Sequence, residues 1–492
     1  MTTTNSAPAG PLTAGRRRLV LVICCLSLLI VGIDATIVNV ALPDIQHSLH
    51  APVSGLQWII DAYTLVIASL LMLSGSTADR FGRRRVFQAG LLLFTVGSLL
   101  CSLAPSLGWL IAFRMVQAVG GSMLNPVALS IITNTITEKR ERARALGVWG
   151  AVVGLSLALG PVIGGVLVSG IGWRAIFWIN IPIGIAAIAL TQRFVPESRA
   201  PRARRFDPPG QVLIMVMLAA VTYALIEGPH HGWGSALIVS LFAVSGAAAM
   251  ALVAVERKRD QPLLDVRFFR SAPFTGATAI ALAAFAALGG FLFLNSLYLQ
   301  DVRGYTPLHA GLLTLPMAGM IALFAPVSGR LVASRGPRPS LLLAGPAIAT
   351  GALLLVWLGP GTSVGYLIVS YVVFGIGLGF VNAPISNTAV SGMPTEQAGV
   401  AASVASTSRQ VGSALGVAIT GSLVAAGTGA GFTAASHAAW AVITGCGAAA
   451  GVLGFVSTGH WAASTAERSR RSLATDAPKE VVPHDSAAGT RR

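Results

Sequence analysis

Four ionisable side chains stand where such groups are costly. Asp34, Asp61, Arg114 and Arg409 each fall inside an apolar run long enough to cross a lipid bilayer. A carboxylate or guanidinium at the centre of a membrane helix costs roughly 2.5–3.5 kcal/mol on insertion scales, so it usually persists for a role. The chemistry open to these groups is proton and ion transfer. Asp34 lies well inside the first run and is the leading candidate for a carboxyl that exchanges a proton or meets a cationic ligand. Its plainer reading is a structural carboxylate permanently paired with a basic neighbour. Asp61, in the outer part of the second run, is either a second such carboxyl or a residue of the membrane interface. Arg114 in the fourth run reads as a partner for buried carbonyls or an acid, and Arg409 in the thirteenth has no role that physics alone assigns. No pattern supports covalent, hydrolytic or metal chemistry. Cys24, Cys25, Cys101 and Cys446 all fall in apolar runs and read as small buried hydrophobes. Glu227 and His230–His231 read as a solvated outer loop. Neither a cofactor nor a catalytic or metal site is expected.

The elements that must position these groups follow from composition. Of 492 residues, 54% are hydrophobic and 11% charged, with a mean hydropathy of +0.73. Soluble proteins carry roughly 25% charged residues, so a soluble multi-domain enzyme is excluded. Apolar runs between short charged loops predict an all-α polytopic membrane protein. Fourteen runs are counted, six centred near Leu29, Leu65, Phe94, Gln117, Leu157 and Ile185. Two more cover Gln211–Glu227 and Ser235–Val255, and the last six centre near Leu288, Met320, Thr350, Phe374, Ala414 and Gly447. The first, roughly Leu19–Leu42, is too long for a signal-peptide core and reads as an uncleaved helix.

Charge distribution supports the count. With a cytoplasmic N-terminus, thirty of the thirty-four basic residues fall on the inner side, at Arg16–Arg18, Arg80–Arg85, Lys139–Arg144, 193–205, 257–270, 330–338 and the C-terminal tail. Outer loops hold only Arg174 and Arg303. This is the positive-inside asymmetry, so the net charge of +16 is topogenic and argues against nucleic-acid binding. Trp58, Trp109, Trp173, Trp233 and Trp440 fall at expected outer ends, as an aromatic belt would. Arginine far exceeds lysine, which with the Ala/Gly bias suggests a GC-rich bacterial source.

The chain also echoes itself. At an offset of 258, Gly121, Pro126, Thr137, Glu138 and Gly154 match Gly379, Pro384, Thr395, Glu396 and Gly412. At 254, Gly75 and Gly82 match Gly329 and Gly336. The expected organisation is an N-terminal tail (1–18), a six-helix half (19–195), two inserted helices (196–260), a second six-helix half (261–460) and a C-terminal tail without fold (461–492). Parallel repeats of this kind place a substrate site between the halves at mid-membrane depth.

Three strings are more particular than composition. Between the second and third runs stands GSTADRFGRRR, with Gly75 for close packing, Asp79 to accept hydrogen bonds from a helix N-terminus, Gly82 for a left-handed turn, and Arg80, Arg83 and Arg84 around them. It resembles the signature loop of the major facilitator superfamily, in which the aspartate and arginines latch the two halves and help gate the switch. Its echo, SGRLVASRGPRP, has Ala333 at the aspartate position, so the second latch is expected to be degenerate. In the fifth run, SLALGPVIGG combines a helix break at Gly160–Pro161 with close backbone approach at Gly164 and Gly165. It is similar to the antiporter signature of drug-efflux facilitators. GIDATIVNVALPDI (Gly32–Ile45) and WRAIFWINIPIG (Trp173–Gly184) are similar to strings of the fourteen-helix drug:proton antiporters of the EmrB/QacA type. The resemblance extends from about Arg16 to His460.

That resemblance implies a major facilitator fold, with two six-helix halves plus two inserted helices, in a bacterial plasma membrane with both termini cytoplasmic. It implies export of hydrophobic, cationic drugs or antibiotics in exchange for protons, using the proton gradient and no cofactor. Within it Arg114 matches the proton-relay arginine, Asp34 is the proton or drug carboxylate, and Arg409 ranks second to Arg114. Tyr63 and Asn39 are candidate cavity residues. Partners are small hydrophobic substrates, protons and lipid, with no obligatory protein partner. No acidic residue stands in the middle of the tenth run (Leu308–Val332), so weak handling of dicationic compounds is expected. The alternatives are an exporter or symporter of one small metabolite, against which the Gly160–Gly165 string argues, and a membrane-embedded enzyme or sensor, for which no polar constellation exists.

Overall fold

The structure is a computed structural model and describes residues 13–200, 207–259, 265–394, 397–425 and 430–475. Among these residues it is helical, without strands. A first set comprises α1 (Ala14–Leu49), α2 (Val53–Phe81), α3 (Arg83–Ser102), α4 (Leu107–Thr135), α5 (Lys139–Gly170), the short α6 (Ala175–Trp178) and α7 (Asn180–Phe194). Then come α8 (Pro208–His231) and α9 (Ala236–Glu256). A second set comprises α10 (Ala272–Leu297), α11 (Pro307–Leu313), α12 (Leu315–Arg335), α13 (Pro337–Leu353), α14 (Val364–Val390), α15 (Ala398–Val424) and α16 (Ala430–Ser457), and α17 (His460–Thr475) follows.

Each of the fourteen expected runs contains a helix. Twelve helical stretches among the described residues are long and apolar enough to cross a membrane, so the chain is a multi-pass membrane protein. The two that fall outside that measure are α13, of 17 residues, and α15, whose middle carries Ser406, Ser408, Arg409 and Gln410.

Local chemistry sets the helix ends. Asp207 caps α8 by accepting from the Gly210 N–H at 3.0 Å, with Pro208 and Pro209 in the first turn. Ser235, Thr306 and Ser363 cap α9, α11 and α14 in the same way. Gly82 separates α2 from α3 at φ +113°, and its echo Gly336 separates α12 from α13 at φ +78°. Both occupy the left-handed region, which a side chain would strain.

The helix pairings repeat as well. α1 packs on α5, α3 on α4, α2 on α4 and α3 on α7; correspondingly α10 packs on α15, α13 on α14, α12 on α14 and α13 on α16. Of the sequence echo, Thr395 and Glu396 lie outside the described residues. α8 and α9 pack on each other, and α8 also seats on α2 and α15. There the Gln211 amide donates to the Ser69 carbonyl, and Trp58 Nε1 donates to Glu227 at 2.9 Å. Glu227 therefore belongs to α8 and a helix contact rather than to a solvated loop. α9 turns Leu237, Val239, Phe242, Val244 and Met250 outward, a surface suited to lipid.

Two further expectations are corrected. Trp109 and Trp233 are exposed, but Trp173 and Trp440 are buried and pack as core aromatics, Trp440 edge-on to Phe291 at 5.6 Å. They are not belt residues. Residues 461–475, expected to be part of a tail without fold, belong to α17. Its buried Ala462, Thr465, Ala466, Ser469 and Leu473 recur every three or four residues, and Thr465 accepts from the Ala272 N–H at 2.9 Å. α1 likewise begins at Ala14, inside the expected tail; residues 1–12 and 476–492 lie outside the described residues.

Candidate functional site

Asp34 stands near the middle of α1 at 0% exposure, and five helices build its surroundings. From α4, Arg114 Nη1 donates to Asp34 Oδ2 at 2.6 Å and to Gln117 Oε1 at 2.6 Å. Gln117 Nε2 then donates to Asp34 Oδ1 at 2.8 Å and to Ser98 Oγ of α3 at 2.8 Å. Arg114 and Gln117 share a helix face because they are three residues apart. Asn180, the first residue of α7, donates to Asp34 Oδ1 at 3.0 Å. From α2, the Tyr63 ring lies 3.9 Å from the Arg114 guanidinium carbon, and Arg114 Nε donates to the Ile59 carbonyl at 3.4 Å. The carboxylate thus receives three donors and a full countercharge. Such a pair is tolerated in a low-dielectric interior only while complete; removing one partner strands a buried charge at about 3–5 kcal/mol.

The other intramembrane carboxyl is unlike it. Asp61, also at 0% exposure, has no hydrogen-bond partner at either oxygen among the described residues. Its side chain is enclosed by neighbouring helices. One turn before it, Gln57 Nε2 donates to the Val417 and Ala418 carbonyls of α15 at 3.2 and 2.8 Å, so this face of α2 meets the second set. An ionised carboxylate without partners in such surroundings is expensive.

Between the two sets lies a cavity of about 3330 Å³, lined by Leu28, Asn125 and Trp149 on one side and Phe285, Asn382 and Arg409 on the other. It reaches the end of the bundle that carries the Gly75–Arg85 turn, where Asp79, Arg257, Arg259 and Arg267 form its rim. The opposite end is sealed. Ser296 Oγ donates to the Asn39 carbonyl, Gln300 Nε2 to the Val40 carbonyl at 2.9 Å, and the Leu308 N–H to Ser169 Oγ at 3.3 Å. Asn39 and Tyr63 line a small side cavity of about 70 Å³ that shares Val31, Ala35 and Gln410 with the large one. Asp34 lines neither. Arg409 lines the large cavity, with its guanidinium 6.0 Å from the Phe285 ring centre.

The signature turn is braced locally. Arg83 donates to Asp79 Oδ1 at 2.7 Å, while the Arg84 N–H reaches Glu197 Oε1 at 3.0 Å and Arg85 approaches Glu197 at 3.7 Å. The Arg83 N–H donates to the Ser198 carbonyl at 2.9 Å. Asp79, Arg83, Arg84 and Arg85 therefore engage the segment after α7, on their own side of the molecule, while Arg80 lies against Phe81 with its guanidinium carbon 5.9 Å from the ring. Gly75 has open space around it.

The glycines of α5 act as contact points. α5 continues as one helix through Pro161. A Cβ on Gly164 would come within 2.7 Å of Ile37, and one on Gly165 within 2.6 Å of the Leu308 Cα, while Gly160 faces Thr36. A Cβ on Gly311 would run into the Pro161 carbonyl, so that glycine too is a point of close backbone approach. The string thus joins α5 to α1 on one face and, across the sealed end, to α11 on the other.

Three residues of the Asp34 cluster escaped the sequence reading. Gln117 was signalled only by its three-residue spacing from Arg114, Asn180 only by its place in WRAIFWINIPIG, and Ser98 by nothing.

Comparison with known proteins agrees with this architecture. A family model described as Major Facilitator Superfamily matches residues 24–417. The chain is 37% identical over 393 residues to the multidrug resistance protein Stp of Mycobacterium tuberculosis, spanning 80% of this chain and 73% of that one. It is 39% identical over 387 residues to the methylenomycin A resistance protein of Streptomyces coelicolor, spanning 77% and 80%. Its fold is similar to the crystal structure of a POT family transporter in complex with a thioalcohol-conjugated peptide, with a TM-score of 0.66, 18% identity, and coverage of 90% and 95%. With most of its length matched by the family model, the chain belongs to the major facilitator superfamily.

Proposed function

We propose that the protein exports hydrophobic drugs or antibiotics across a bacterial plasma membrane in exchange for protons, as a transporter of the fourteen-helix drug:proton antiporter type and not an enzyme. The observation that carries the reading is the sealed Asp34–Arg114–Gln117–Asn180 cluster beside a large, largely apolar cavity between two similar helix sets. A cavity of that kind holds cargo by apolar contact, with few polar groups. Relatives at 33–39% identity that are named for multidrug or antibiotic resistance support the cargo class.

Fourteen crossings follow if α13 and α15 span as well. In support, α13 packs between α14 and α16, and α15 packs against α10 and α2. The halves are then 19–195 and 261–460, with α8 and α9 inserted between them. The positive-inside pattern supports a cytoplasmic position for both termini and for the open end of the cavity.

In this cycle the inward-open form holds ionised Asp34 locked on Arg114. Opening of the sealed end lets a proton reach Asp34, which releases its hold on Arg114 and leaves that guanidinium to Gln117, the Ile59 carbonyl and the Tyr63 ring it already contacts. Return to the inward-open form re-forms the pair and expels the proton. Asp61, buried and unpartnered on the face of α2 that carries Gln57, is a second coupling group, and the Gly75–Arg85 turn biases the two forms. The test is antibiotic accumulation by inside-out vesicles under an imposed proton gradient. Accumulation that a protonophore abolishes supports the reading; accumulation that survives it sinks proton coupling.

A further inference from the structure

We propose that the large cavity takes amphipathic compounds bearing an acidic group, held by an ion pair to Arg409. This narrows the cargo within the export reading above and replaces the cationic class that the sequence suggested.

The placement of the carboxylates does not suit a cation. A cationic cargo needs one within reach, and the first candidate, Asp34, is fully buried, lines neither cavity and is filled by Arg114, Gln117 and Asn180. The acidic residues that do line the cavity are Asp79, Asp207, Glu256 and Asp265. All stand at helix ends on the open side: Asp79 in the last turn of α2, Asp207 capping α8, Glu256 ending α9, and Asp265 before the turn that leads into α10. None is free. Asp79 is held by Arg83, Asp207 by Arg259 and Asp265 by Arg267, and Glu256 is engaged too. The rim arginines balance these charges, so selection for charge rests deeper.

Deeper in the cavity, among the described residues, the one ionisable lining residue is Arg409, near the middle of α15. Among the described residues it makes no hydrogen bond or ion pair, and its one charge-related contact is the distant face of Phe285. Half-buried beside the neutral Ser406 and Gln410, it presents a planar fork of donors to the cavity. A carboxylate or phenolate would receive charge-assisted, two-pronged hydrogen bonds there, while an ammonium would meet like charge at low dielectric. Leu28, Val31, Trp149, Phe285 and Ile321 supply apolar wall for the rest of such a molecule.

The test is binding of three pyrene probes of one size, pyrenebutyrate, its methyl ester and pyrenebutylamine, to the full-length protein in lipid nanodiscs. A charge-assisted contact predicts that the butyrate binds about ten- to a hundredfold tighter than the amine. Arg409→Gln should weaken the butyrate by a similar factor and leave the ester within about twofold, Arg409→Lys should keep most of the affinity, and Arg409→Glu should reverse the order. Equal or tighter binding of the amine by the unaltered protein overturns the proposal, as does equal weakening of all three probes in Arg409→Gln. Uptake of pyrenebutyrate by inside-out vesicles under a proton gradient separates the two claims. Butyrate-selective binding without uptake sinks export and leaves the acidic site standing; uptake that prefers the amine sinks the acidic site alone.

Discussion

Replacing Asp34 by Asn removes a charge and almost no volume, so its cost falls on Arg114. That guanidinium is only 2% exposed, and its other partners are Gln117, the Ile59 carbonyl and the Tyr63 ring, all uncharged. The Asn side chain can still accept from Gln117 and Asn180 in place of Oδ1. What is lost is the countercharge 2.6 Å away, and breaking one side of a buried pair costs about 3–5 kcal/mol. Arg114→Met, which strands the carboxylate instead, should cost a similar amount. The double variant has no stranded charge, so it should recover at least about 2 kcal/mol of the summed loss. Thermal unfolding in one detergent reads this out as midpoints in the order native, double, then either single. Proton-coupled uptake should be absent from all three variants, so stability and transport separate in the double variant. If the double variant instead falls by the sum of the singles, the two residues do not hold each other and the cluster is misread.

Other perturbations probe the gate and the turn. Gly165→Val forces a side chain into the Leu308 backbone, and overpacking of about 1–3 kcal/mol should shift the sealed end toward opening by about five- to 150-fold. A spin-label distance between positions 170 and 306 should lengthen, and an unchanged distance would count against α5–α11 as the seal. Gln300→Ala removes donors to the Val40 carbonyl and Ser296 at the same end, so it should act in the same direction by about 1 kcal/mol, a smaller lengthening by the same labels. At the signature turn, Glu197→Gln keeps an acceptor for the Arg84 N–H and loses only the exposed Arg85 pair, so its unfolding midpoint should match the native one. Glu197→Ala loses the acceptor and should cost about 1 kcal/mol; equal midpoints for the two variants would contradict this.

Much of the fold was legible because insertion into lipid imposes a one-dimensional code. Every apolar run became a helix, and the Gly82–Gly336 echo became two turns with the same left-handed backbone. Where the code blurred, polar chemistry intervened: α15 carries Arg409 and its hydroxylic neighbours, so by apolarity alone it does not count as a span. Trp173 and Trp440 were misread because an aromatic near a helix end suits a lipid belt and a protein core alike, and only packing decides. α17 was missed because it is polar on average and its buried face is mostly Ala, Ser and Thr, so no apolar run marks it although the pattern is strongly amphipathic. At the site, the cost of intramembrane charge singled out Asp34 and Arg114 as individuals, and the structure makes them a pair. Gln117, Ser98 and Asn180 stayed hidden because uncharged amides and hydroxyls incur little penalty in a membrane helix, and their convergence from α4, α3 and α7 is a tertiary fact. The α5 glycines were recognised as small, but their partner in the second helix set, Leu308, lies far away in sequence.

The most direct test of the central claim follows proton movement in inside-out vesicles that hold a proton gradient reported by a pH-sensitive dye. Pyrenebutyrate and a panel of antibiotics are added in turn to vesicles with the native protein or with Asp34→Asn. The account predicts that cargo dissipates the gradient in native vesicles and not in Asp34→Asn vesicles, although the variant still binds cargo. Dissipation of equal rate in both would contradict it, because a protein that moves protons without Asp34 does not couple transport through the Asp34–Arg114 pair.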